Sequence, residues 1–178
     1  MATALVQMHP VEQRFSFEQT VMPHLDAAYN LARWLTSNDQ DAEDVVQEAY
    51  LRAFRFFDGF RGGDGRAWLL AVVRNTCLTW LRQRGRKEMV EFDEQAHAAE
   101  VPSTTPETAL LRKAALGSVK DCLEALPVEY REAFVLRELE DMSYKEIADV
   151  SGVPIGTVMS RLSRARKRLQ SCLGGTLR

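Results

Sequence analysis

The sequence has few of the residues that interrupt helices. Its 178 residues include 10 glycines and 6 prolines, and no useful length of strand-like alternation is present. No apolar run approaches the roughly 20 residues that cross a bilayer, and residues 1–10 lack the basic start and apolar core of a secretory signal. We therefore expect an all-α, cytoplasmic protein that does not insert into a membrane.

Residues that build metal sites and catalytic centres are also scarce. Cys77, Cys122 and Cys172 form no CxxC pair, and the three histidines are scattered. This spacing predicts no metal or other cofactor, and the cysteines are expected to be reduced thiols, partly buried on helices. The glycine-rich stretch 59–65 lacks the Lys-Ser/Thr ending of a phosphate loop, and no nucleophile–base pair is evident. These absences argue against an enzyme.

Positive charge is concentrated in two places, although the formal net charge is only −2. From 154 to 178 the chain has no acidic residue and six basic ones: Arg161, Arg164, Arg166, Lys167, Arg168 and Arg178. From 74 to 87 it again has no acid, with Arg74, Arg82, Arg84, Arg86 and Lys87. Phosphate attraction depends on local charge, so two basic faces predict two DNA contacts. A solvated helix face is the alternative explanation.

An acidic, proline-containing segment at 88–108 divides the chain into two helical parts. Apolar residues recur at three- and four-residue spacing on both sides of it but not within it. We predict an N-terminal helical domain (1–87), a flexible linker (88–108) that lets the domains move independently, and a four-helix C-terminal domain (109–178).

The strongest local pattern is a helix-turn-helix at 143–168. Ser143 and Glu146 form a capping box, and Gly152 supplies the left-handed turn between two helices. The second helix places an apolar stripe against the first helix and polar residues on the other side. The predicted DNA-contacting residues of this helix are Thr157, Met159, Ser160, Arg161, Arg164, Arg166, Lys167 and Arg168. A plain basic surface helix is the alternative.

Several motifs resemble those of a known family and follow one another along the chain in the family's order. They lie at 41–55, 60–64 and 67–76 in the N-terminal half, and at 126–137, 143–148, 153–158 and 161–166 in the C-terminal half. Together they are similar to the extracytoplasmic-function group of bacterial sigma factors, within the sigma-70 family. The resemblance implies a dissociable specificity subunit of RNA polymerase. It further implies that an anti-sigma factor controls the protein, and we expect a monomer when it is free.

The resemblance also implies roles for individual residues. An acidic stripe on one helix would dock on core polymerase: Asp41, Asp44, Gln47 and Glu48. A loop and the helix after it would read and melt the downstream (−10) promoter element: Phe60, Arg61, Arg66, Arg74, Asn75, Arg82 and Arg84. The C-terminal helix would read the upstream (−35) element. Met159 departs from the family, where several relatives carry a basic or polar reader, so their upstream sequence is not assumed.

Other interpretations stay open at this point. A two-domain helix-turn-helix repressor or activator would bind duplex DNA without polymerase, but it would need a ligand pocket or a dimer face. The acidic stripe could be a solvated face. Trp68 and Trp80 are better interpreted as core aromatics than as DNA platforms, and Phe60 fits either role equally.

Overall fold

The computed structural model describes the backbone of residues 10–95 and 119–174, and the side chains of residues 16–85 and 119–174. The regular secondary structure of these residues is helical, which confirms the all-α prediction. The last helix before the gap runs to Gln95, so the predicted linker begins with helical backbone at Glu88 rather than with a loop. The remainder of the predicted linker, 96–108, lies outside the described residues.

Four helices form the N-terminal domain: α1 (Pro10–Val21), α2 (Leu25–Thr36), α3 (Asp39–Phe56) and α4 (Gly65–Gln95). Short 3-10 turns at Met22–His24 and Phe57–Gly59 follow α1 and α3. Ser37 ends α2 in the left-handed conformation, and the Asn38 side chain accepts a hydrogen bond from the backbone N–H of Asp41 to begin α3. The core of this domain is the apolar stripe of each helix, including Leu31, Val45 and Leu69.

The C-terminal domain contains α5 (Val119–Glu124), α6 (Val128–Phe134), α7 (Tyr144–Ser151) and α8 (Ile155–Gly174). After Phe134, α6 continues as a π-helical segment over Val135–Leu139. The helix-turn-helix is formed by α7 and α8. The capping box is confirmed, and Gly152 has the left-handed φ of 67° that the sharp turn requires.

The two domains pack against each other. Buried residues of both domains form one continuous cluster, with α2 packed on α6 and α4 packed on α7. The expectation that the domains move independently stays a prediction. In the structure, polar side chains of α6 and the π-helical segment find partners on α2 and α4. Those partners are far apart in sequence and leave no periodic signal.

A disulfide joins Cys122 on α5 to Cys172 near the end of α8. The prediction of reduced thiols is therefore wrong for these two cysteines. Their Cα atoms lie 5.9 Å apart although they are separated by 50 residues, and only the folded domain brings them together. Cys77 is a buried free thiol, as predicted, and burial raises its pKa to about 12.

Candidate polymerase and nucleic-acid interfaces

The predicted docking stripe lies along the outer side of α3. Asp44, Gln47 and Glu48 are exposed, while Val45 and Ala49 on the inner side of the helix are buried. Two members of the stripe have intramolecular partners. Asp41 accepts a hydrogen bond from Arg84 at 2.9 Å, and Glu48 pairs with Arg52 at 2.7 Å, one turn further along α3.

A groove between α2 and α3 adjoins the stripe. It encloses about 690 Å³ and is lined by Leu25, Asp26, Tyr29, Gln40, Glu43, Asp44, Val46, Gln47 and Tyr50. Burial, with a smaller contribution from Asp26, raises the pKa of Tyr50 to about 12. The groove combines acidic rims with an apolar floor, which suits a partner that presents basic and apolar side chains together.

The loop before α4 carries an aromatic cluster rather than free aromatic platforms. Phe60 stacks on Phe57 with ring centroids 5.7 Å apart, and its ring centroid lies 5.3 Å from that of Trp68. The interpretation of Trp68 as a core aromatic agrees with this packing. Phe60 is only partly buried, so one face of the cluster remains accessible. Arg61, at the tip of the loop, is exposed.

The predicted downstream-element residues on α4 differ in availability. Asn75 is exposed, and its Oδ1 accepts a hydrogen bond from Arg74 at 3.2 Å. Arg82 is exposed and its Nε donates to the backbone carbonyl of Leu78. Arg84 lies over the ring of Trp80 at 5.2 Å as well as contacting Asp41. Asn75 and Arg82 lie on one side of α4, whereas Arg84 lies on the opposite side and contacts α3.

Two arginines of this set are bound by acids of the C-terminal domain. Arg74 pairs with Glu132 of α6 through its Nε. Arg66 donates to Oε2 of Glu140 at 2.6 Å and to its backbone carbonyl at 2.8 Å, while Asn30 donates to Oε1 at 2.5 Å. Arg66 and Arg74 therefore hold carboxylates in the closed arrangement, where the sequence predicts DNA.

Glu132 is almost completely buried, with 1% of its side chain exposed. Burial raises its pKa, and the hydrogen bond and charge of Arg74 act in the opposite direction. Its Oε2 makes no protein hydrogen bond. Glu132 is thus a buried carboxylate whose main compensation comes from one arginine of the other domain.

A third polar contact crosses the domain boundary beside these pairs. The guanidinium of Arg131 donates to the backbone carbonyl of Trp34 at 2.8 Å and to Oγ of Ser37 at 2.6 Å. It also donates to the carbonyls of Glu124 and Leu126 at the end of α5. Arg131 therefore links α2 to the turn between α5 and α6.

The recognition helix α8 presents an accessible polar side. Val158, Leu162, Ala165 and Leu169 are buried, whereas Ser160, Arg164, Lys167 and Arg168 are exposed and Thr157 and Arg161 are half-buried. Arg164 and Arg168 contact Tyr130 of α6, the first through its hydroxyl at 3.3 Å and the second over its ring. Arg166 pairs with Glu138 at 2.6 Å. All these contacts are at the surface and are displaceable by phosphate.

Sequence reasoning missed the acids that cover α4. A signal for Glu132 exists, because Val128, Glu132 and Leu136 follow each other at four-residue spacing on the inner side of α6. An acidic residue at a helical position shared with buried apolar residues predicts a buried partner for its charge. No comparable signal marks Glu140, Arg131 or the disulfide.

Known families account for both halves of the chain. The family model for sigma-70 region 2 matches residues 20–87, and the one for sigma-70 region 4 matches residues 116–169. The RNA polymerase sigma-H factor of Pseudomonas aeruginosa is 35% identical over 92% of this chain and 89% of its own length. The chain belongs to the extracytoplasmic-function sigma factors.

Two further relatives agree with this membership. The extracytoplasmic-function sigma factor SigE of Mycolicibacterium smegmatis is 36% identical over 89% of this chain, which spans 62% of that relative's length. A crystal structure of the sigma factor RpoE from Bartonella quintana, in complex with the anti-sigma factor NepR, superimposes with a TM-score of 0.70. It is 33% identical and covers 89% of this chain and 97% of its own.

Membership confirms that this sigma factor is a non-enzymatic, DNA-binding factor of transcription initiation. Within the described residues no group of three or more histidine, cysteine or acidic side chains could hold a metal ion. The helices in the same part of the chain include none that is long and apolar enough to span a bilayer.

Proposed function

We propose that this sigma factor binds core RNA polymerase in the cytoplasm, that residues 1–87 read and melt the downstream promoter element, and that residues 109–178 read the upstream element. The linker at 88–108 joins the two domains that carry these activities. The observation that carries the proposal is the recognition helix: α8 has five basic residues and no acid, and its polar side is open to solvent.

Core polymerase docks on the α2–α3 groove and the stripe beside it. The groove offers carboxylates and exposed apolar surface together, and Leu25 at its edge is 40% exposed. Such a surface recruits a basic, partly apolar partner helix more readily than it stays solvated.

Charge reversal tests the docking proposal. Asp44→Lys combined with Glu48→Lys should abolish retention of core polymerase on the tagged sigma factor, because both side chains are exposed and the fold does not depend on them. Asp149→Lys, an exposed reversal on α7, is the matched control and should retain polymerase. Equal retention by both variants, with helical circular dichroism intact, would remove the docking surface from the proposal.

The closed arrangement is the resting form of the sigma factor. Arg66 and Arg74 cannot hold DNA phosphates while Glu140 and Glu132 occupy them, so polymerase binding must separate the domains before melting. An anti-sigma factor that binds both domains would hold them closed, and the Bartonella relative is known in complex with an anti-sigma factor. Limited proteolysis between 88 and 108 should then be slowest with the anti-sigma factor and fastest with polymerase.

A further inference from the structure

Two large apolar side chains stand exposed at the beginning of the recognition helix. Ile155 is 45% exposed and Met159 is 53% exposed. Four residues apart, they lie one above the other on the same side of α8. The remaining large apolar residues that face the domain core from this helix, Val158, Leu162 and Leu169, are buried. Ile155 and Met159 therefore form an apolar patch that the domain core does not use.

The patch lies on a flank of α8 that it shares with Arg166, which is two turns after Met159 and pairs with Glu138. Arg164 and Arg168 contact Tyr130, on another side of the helix. Gly156 and Ser163, which are also exposed near the patch, add no charge. The hydroxyl of Ser160 donates to the backbone carbonyl of Thr157 at 2.9 Å, so its hydrogen is already engaged.

The charge of the helix determines what can cover this patch. α8 carries five basic residues and no acid, and one of them, Arg166, lies beside the apolar pair. A protein groove that accepted Ile155 and Met159 would have to tolerate these arginines, whereas a polyanion with apolar groups at its surface would favour them. Duplex DNA is such a polyanion, since the thymine 5-methyl groups line its major groove.

We propose that Ile155 and Met159 read thymine by contacting its 5-methyl group in the upstream promoter element. The inference rests on the proposed function, which places α8 in the major groove. Thymine is the base that presents a methyl group there, and neither side chain can donate to the acceptors of guanine. The flexible thioether side chain of Met159 can adapt to a thymine methyl group on either strand of the duplex.

Removal of the methyl group alone tests the proposal. Polymerase loaded with the full-length sigma factor is used to select upstream elements from a randomised duplex library, and each selected thymine is then replaced by deoxyuridine. Base pairing is unchanged by this replacement. Binding should weaken about fourfold for each methyl group that the patch covers, and the salt dependence should stay the same because no phosphate contact is lost.

Three variants assign the effect to the patch. Ile155→Ala and Met159→Ala should each remove the thymine–deoxyuridine difference at its own position. Leu139→Ala, which shortens a side chain that is 46% exposed outside α8, is the matched control and should keep both differences. An upstream element selected without thymine, or a difference that persists in both patch variants, would overturn the inference.

Failure of the inference is distinguishable from failure of the proposed function. If deoxyuridine is tolerated at every position while selective, salt-dependent promoter binding persists, the patch does not read thymine and α8 still binds the duplex. If loaded polymerase selects no sequence at all, the proposed function fails and the inference falls with it.

Discussion

The two surfaces proposed to bind nucleic acid use similar side chains but differ in availability. On α4, Arg66 and Arg74 pair with carboxylates of the C-terminal domain, and Arg74 is only 14% exposed. On α8, Arg164 and Arg168 remain exposed and contact Tyr130. The comparison teaches that basic composition does not tell which basic side chains are available. On the proposed function, the closed protein meets a duplex through α8, whereas melted DNA requires α4 to be uncovered.

The C-terminal domain covers α4 with both apolar and charged side chains. Glu132 is buried with one oxygen lacking a protein hydrogen bond, and burial raises its pKa. Buried ion pairs of this kind add little net stability, since desolvation offsets much of the attraction. Separation of the domains by a competing partner would therefore have to offset mainly the loss of the apolar cluster that both domains share.

Removal of one partner of the buried Arg74–Glu132 pair should have the largest effect on the difference in availability between α4 and α8. Arg74→Ala leaves Glu132 uncompensated, which costs about 3–5 kcal/mol in a closed domain interface. The domains should therefore open, and urea denaturation should show a lower midpoint. The double variant Arg74→Met with Glu132→Leu is the control and should regain the closed form. An unchanged Arg74→Ala protein would show that the pair does not hold the cover.

Reduction of the disulfide should lower the stability of the C-terminal domain alone, the domain that contains α8. Cys122–Cys172 ties α5 to α8 beside a small cluster that includes Leu126 and Leu169. Its loss should destabilise this domain by about 2–4 kcal/mol. Differential scanning calorimetry with and without dithiothreitol measures the change. A protein with both cysteines replaced by serine should be insensitive to the reductant; a dithiothreitol effect there would assign the loss elsewhere.

Two alanine substitutions should separate the duties of the two surfaces. Asn75→Ala should impair promoter opening, seen by permanganate reactivity of thymines, while duplex binding survives. Arg164→Ala should weaken upstream-element binding by about 1–3 kcal/mol if it reads a base. If Arg164 holds a phosphate instead, the loss should be equal on every sequence and the salt dependence should fall. Normal melting by the first and normal binding by the second would contradict both assignments.

The smallest expected effect concerns the thiol beneath the covered surface. Cys77 is fully buried and its pKa is raised to about 12, so its thiolate fraction stays low throughout neutral and mildly alkaline pH. Iodoacetamide at pH 8 should leave Cys77 unmodified in the native protein, as mass spectrometry can verify. Cys122 and Cys172 should react only after reduction. Rapid alkylation of Cys77 in the native protein would mean that the core around α4 opens readily.

Local chemistry predicts much of the fold and less of the site. The capping box at Ser143, the turn at Gly152 and the apolar stripe of α8 follow from spacing alone, because each depends on neighbours within a few residues. The pairs of Arg66 and Arg74 with acids of the other domain depend on packing across the linker, so sequence reasoning interpreted both arginines as free for DNA. The exposure of Ile155 was hidden similarly, since apolar residues in a helix are ordinarily assigned to a core. The exposure of Met159 agrees with its place among the predicted DNA-contacting residues.

Domain separation is the measurement that tests this account most directly. Spin labels at the exposed positions Gln19 and Lys145 report the distance between the two domains by pulsed electron resonance. The free sigma factor should give a single narrow distribution that lengthens when core polymerase is added, since polymerase must uncover Arg66 and Arg74. A free protein whose distribution is already broad and matches that of the polymerase complex would contradict the claim that the C-terminal domain covers α4.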